Sequence, residues 1–118
     1  MSYDIYLTEP KTKKPIKLDK PLDLMGGIFA LGGTTVAWLN VTYNYAIHYD
    51  KIFGKKGIRT IYGMTGAQSI PLLKKASEKL KDNITGNYWE PTEGNAKDAL
   101  FGLIGLAEIR PDGIWNGD

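Results

Sequence analysis

The chain reads as an α+β domain in which a small antiparallel sheet, drawn from the N-terminal third, packs against about three helices. Three observations predict this. Apolar and polar residues alternate at the N-terminus, the apolar period lengthens to helical spacing after residue 42, and the last third holds a capped helix with a wide apolar face. A length of 118 residues suits a single domain spanning 1–118 around one core. Hydrophobic content of 42% with 24% charged residues places it among folded chains rather than disordered ones.

The first strand is written in Tyr3, Ile5 and Leu7 alternating with Asp4, Tyr6 and Thr8. A lysine-rich turn from Glu9 to Pro15 follows, after which Ile16 and Leu18 resume the alternation, so the two segments are expected to form a β-hairpin closed at Pro21. Gly26-Gly27 and Gly32-Gly33 bracket a short apolar run, and the second pair suits the positive φ of a tight turn between strands near 27–31 and 34–39. From Thr42 the period changes. Tyr43, Ala46, Ile47 and Phe53 fall on one side of a helix capped by Asn40 or Thr42 and stopped by Gly54. Ile58 to Tyr62 suits a strand or an extended connection, and Gly63 to Gly66 is a break.

The second helix is expected to start at Ser69 with Pro71 just inside, its core face carried by Ile70, Leu73, Ala76 and Leu80. A start at Thr65, with Gln68 completing a capping box, competes but places Pro71 within the helix. The third helix, Glu93 to Glu108, opens at Pro91-Thr92 and closes at the turn Arg110-Pro111-Asp112-Gly113. Ala96, Ala99, Leu100, Leu103, Leu106 and Ala107 make it the central core element. Gly102 and Gly105 each cost about 1 kcal/mol against alanine, which predicts close approach of another element there.

Composition narrows the chemistry. Without cysteine there is no disulfide, thiolate nucleophile or thiolate-bound metal, and one histidine makes a zinc centre unlike this chain. The start MSYDIYL has no basic and apolar leader, so a cytoplasmic location is expected and the sequons at Asn40 and Asn83 are read as accidental. The apolar run Ala99–Ala107 is about half a membrane span. Net charge is +2, with nine basic against five acidic residues in 1–59 and six against eight in 60–118. The lysines at 11, 13, 14, 17 and 20 bracket a solvated turn, so nucleic-acid binding is not favoured.

His48 is the acid-base candidate, Glu90 and Glu93 offer a carboxylate pair with Asp98 further along, and no GxSxG elbow exists. A carboxylate in a helix's first turn is also explained by the dipole. Gly54-Lys55-Lys56-Gly57 with Arg59 lacks P-loop spacing and reads as a basic helix-end turn. Seven tyrosines and three tryptophans are the stronger sign of recognition. Tyr43, Asn44, Tyr45, His48 and Arg59, with Trp89, Glu90, Asn95, Arg110 and Trp115, form the candidate ligand- or partner-binding set. No cofactor or metal is assigned.

The blocks GGTTVAWLNVTYNYA, GIRTIYGMTGA, YWEPTEGNAKDAL and RPDGIWNGD resemble those of small proteins encoded by phages, prophages and bacteria. The resemblance covers nearly the whole chain, carries no assigned reaction or catalytic residue, and implies an accessory role. The leading expectation is therefore a non-enzymatic, phage-type protein that binds a macromolecular partner, as an inhibitor or immunity-like factor would. A small-ligand or nucleotide-binding protein with an aromatic and polar pocket is the second reading, and a hydrolase or transferase using His48 or Glu90 the third. Aromatics left outside so small a core are also able to join two copies as a homodimer.

Overall fold

The computed structural model describes residues 2–22, 34–87 and 89–118. β1 (Ser2–Thr8) is the axis of a three-stranded antiparallel sheet, flanked by β4 (Trp38–Thr42) and β5 (Ile114–Gly117) in the order β4-β1-β5. Its alternation works as expected, with Tyr3, Ile5 and Leu7 buried while Asp4 and Tyr6 are partly exposed. Tyr3 faces Val41 on one edge, and Leu7 faces Trp115 on the other. A second, two-stranded antiparallel sheet pairs β2 (Lys17–Leu22) with β3 (Thr34–Val36) through an irregular register.

The expected β1–β2 hairpin does not form as a ladder. Ile16 instead enters a three-way backbone circuit in which Leu7 donates to Ala37 (2.8 Å), Ala37 to Ile16 (2.8 Å), and Ile16 to Leu7 (2.9 Å). Both Ile16 and Ala37 are fully buried, and Ala37 divides the strand expected at 34–39 into β3 and β4. The main chain after Ile16 then turns to β3, because β1 already has two partners. The strand expected near 27–31 and the turn at Gly32-Gly33 lie outside the described residues.

Thr42 caps the next element, its hydroxyl accepting from the Asn44 amide across a short 3-10 turn (Tyr43–Tyr45) that leads into α1 (Ala46–Phe53). Gly54, at φ +93°, ends α1. The buried side of α1 is set by Tyr45 and Tyr49 rather than by Ile47, which is 58% exposed. Residues 57–61 are neither strand nor extended; they coil into a 3-10 turn that buries Ile58 and Ile61.

α2 (Gly66–Glu78) begins at Thr65, not at Ser69, and holds Pro71 inside. Tertiary contacts explain why the rejected start prevails. All four amides of the first turn are satisfied: Thr65 by the Gln68 side chain, Gln68 by the Thr65 hydroxyl, Gly66 by the carbonyl of Gly113, and Ala67 by that of Pro111. The C-terminal turn thus completes a helix end that local sequence alone leaves open.

α3 (Glu93–Ile109) is capped by Thr92, whose hydroxyl accepts from the Asn95 amide at 3.0 Å. Leu100, Leu103 and Leu106 are fully buried, each contributing roughly 1.5–3 kcal/mol. Close backbone approach occurs at Gly94, where a Cβ would collide with Ile84 and Asn83 main-chain atoms. Gly105, expected to permit such an approach, faces open space. β5 was not foreseen; it returns the chain to β1 after the Arg110–Gly113 turn.

Candidate functional site

The ten candidate residues do not converge on one pocket. They separate into a segment-ordering group, two clamps and two core aromatics, and the first of these builds the most informative surface.

Residues 82–87 and 89–92 have little regular structure, so their backbone polar groups require other partners. Asn95, only 4% exposed, supplies them. Its carbonyl accepts from the Thr85 amide (2.9 Å), while its NH2 donates to the Thr85 hydroxyl (3.0 Å) and to the carbonyls of Asn87 (3.0 Å) and Glu90 (3.1 Å). The Asn83 carboxamide accepts from the Gly94 amide at 3.0 Å, capping α3 from the other side. Lys97 closes the start of the segment on Asp82 at 2.6 Å, while lying over the Phe101 ring.

α1 grips the same segment. The Asn44 NH2 donates to the Trp89 carbonyl (2.8 Å), and His48 Nε2 lies 2.7 Å from the Pro91 carbonyl. A carbonyl only accepts, so Nε2 carries the hydrogen and is committed to holding the chain. Tyr49, buried, donates its hydroxyl to the Ala96 carbonyl at 2.8 Å, and Tyr45 packs edge-on against it inside the core. Glu90 is exposed and lends its main chain to Asn95; Glu93 occupies the first turn of α3, where the helix dipole favours it. Burial pushes the Asp98 carboxyl above its ordinary value.

Tyr43 and Arg59 belong to a clamp on the C-terminal strand. The Arg59 guanidinium sits 4.8 Å from the Tyr3 ring centre, donates to the Asp118 carbonyl at 2.7 Å and reaches the Tyr43 hydroxyl at 3.3 Å. Tyr62 completes it, its hydroxyl 3.4 Å from the same carbonyl. Burial first, then the charge of Asp118, pushes the Tyr62 phenol up to about 12. Arg110 is likewise absorbed: it forks onto Glu9 (3.1 and 2.9 Å) and onto Asp112 (2.9 Å to each oxygen). Those bonds raise the Arg110 pKa and hold the Asp112 carboxyl below its ordinary value. Trp115 is 1% exposed and donates from Nε1 to the Ser69 hydroxyl at 2.7 Å.

What this scaffold presents outward is apolar and basic. Ile47 (58% exposed), Ile84 (57%) and Trp89 (58%) surround the N-terminal end of α3, each on backbone fixed by the contacts above. Beside them run two open depressions of about 220 and 170 Å³. The first is lined by His48, Lys51, Ile52, Lys79, Leu80 and Glu93. The second continues from Ile52 and Lys79 to Phe53, Leu72, Lys75 and Ala76. Sequence reading missed this groove, although Leu72, Lys75, Ala76 and Lys79 at spacing i, i+3, i+4 and i+7 mark one face of α2. Both sequons are used by the fold: Asn40 donates to Ser2 and Asp4, and Asn83 caps α3.

Comparison with protein-family models, curated proteins and solved structures returns no match. Among the described residues no three His, Cys, Asp or Glu side chains are grouped to hold a metal ion, and no helix is long and apolar enough to cross a membrane.

Proposed function

We propose that the protein is a small non-enzymatic binding protein, a phage-type accessory factor of the inhibitor or immunity-like kind. It engages a macromolecular partner through the surface around the N-terminal end of α3. The observation that carries the reading is the contrast between the polar candidates and their neighbours. Asn44, His48 and Asn95 are committed to holding the segment between α2 and α3, while Ile84 and Trp89 on that segment and Ile47 on α1 stay more than half exposed. Exposed apolar side chains on backbone already held by hydrogen bonds cost little ordering entropy on association, which is what a protein-binding hot spot requires.

Size weighs against the small-ligand reading. Ligand pockets start at roughly 300 Å³ and enclose most of their ligand, whereas the two depressions among the described residues hold about 220 and 170 Å³ and are open. An acid-base role for His48 meets a similar obstacle, since its Nε2 hydrogen is spent on Pro91.

Native mass spectrometry of the protein gently isolated from cells that produce it tests the reading. A complex with a second protein, lost in Trp89→Ala while the melting temperature is unchanged, is the expected result. An added mass of nucleotide or metabolite size would replace it with the ligand-binding reading.

A further inference from the structure

We infer that the groove between α1 and α2 receives an amphipathic helix of the partner protein, apolar on one face and acidic along its flanks. This rests on the protein-binding reading above and names the partner's chemistry.

The groove has an apolar lining of Ile52 and Phe53 from α1 with Leu72 and Ala76 from α2, interrupted by the one hydroxyl of Thr60. Its rim is basic: Lys51, Lys75 and Lys79 line it against a single carboxylate, Glu93, at one end. None of these three lysines forms an ion pair with a described residue; the described ion pairs use Lys97 and Arg110. Three uncompensated ammonium groups around an apolar floor create a field that favours negative charge where water is most easily displaced.

The two features select the occupant together. Phosphate backbones or lipid headgroups would meet the lysines but leave the floor wet. A purely apolar segment would cover the floor and desolvate the lysines without a counter-charge. A helix with an apolar stripe between carboxylates answers both, and the stretch from Leu72 to Lys79 is about 10 Å long, room for two turns against it. At the other end the groove is bounded by His48 of α1, the neighbour of exposed Ile47, and by Glu93 in the first turn of α3.

The test is an NMR titration of the full-length, 15N-labelled chain with a synthetic helix of about four turns carrying a leucine stripe flanked by glutamates. Its control is a twin with lysines for the glutamates. Amide shifts centred on residues 48–53 and 72–80, weakening as salt rises and absent with the twin, are expected. The double variant Lys75→Glu, Lys79→Glu, checked for folding by thermal melting, should bind about tenfold more weakly. No shifts in those segments, equal binding of the twin, or a stronger response to phosphatidylserine vesicles or duplex DNA would overturn the assignment. Partner capture separates the two claims. A natural partner lost with Trp89→Ala but kept by the double variant sinks the groove assignment and leaves the binding reading standing; peptide binding in the groove without any captured partner does the reverse.

Discussion

Asn95 concentrates the structural work of the candidate surface in one carboxamide. Its four hydrogen bonds all serve residues 85–90, and it is buried, so removal leaves several polar groups unsatisfied at once. Asn95→Ala should destabilise the fold by about 2–3 kcal/mol in urea unfolding and release amide-exchange protection at Thr85 and Glu90 first. An unchanged midpoint would mean the segment is held by something else. Tyr62 makes a prediction about pH. Its phenol is held near 12 in the folded chain against an ordinary 10. Between those values the unfolded chain has lost this proton while the folded chain keeps it, so stability is intact below pH 10 and declines as pH rises toward 12. Denaturant midpoints measured across that window should fall less steeply for Tyr62→Phe than for the natural chain. Both roles were hidden in sequence for the same reason. An asparagine or tyrosine that serves its own backbone is spelled like one that serves a ligand.

At the scale of elements, local signals were legible and tertiary ones were not. The caps at Thr42 and Thr92 and the stop at Gly54 are written within a few residues of the elements they bound, whereas the expected Ser69 start of α2 gave way to the competing one at Thr65. β5 is only four residues long and pairs with β1 more than a hundred residues away, a relation no local period carries. The hairpin expected from Ile16 and Leu18 stops after the Thr8–Pro15 bridge and the Ile16–Leu7 bond, because the Ile16 carbonyl accepts from Ala37 instead, again a long-range choice. The start of α2 gives the element-level test. Pro71 removes the amide that would bond the Ala67 carbonyl, so Pro71→Ala should raise stability by about 1 kcal/mol or more, while Thr65→Ala should lower it by about 1 kcal/mol. Loss of stability in Pro71→Ala would show that the ring, not the helix end, is what that turn depends on.

For the whole molecule, the α+β class with three helices could be anticipated, but the proposed binding surface could not, because it is assembled from three separate segments. Ile47 comes from α1, Ile84 and Trp89 from the segment ordered by Asn95, and the adjoining groove from α1 and α2. Several residues chosen from sequence hold this surface in place, and their neighbours present it. The most direct measurement is photo-crosslinking in cells that produce the protein, with a photoreactive side chain in place of Ile84. The control carries it at Glu108, exposed and about 22 Å from Glu93 along α3. The account predicts a covalent adduct with one protein from position 84 and none from position 108. Absence of an adduct at 84, or the same adducts from both positions, would contradict it.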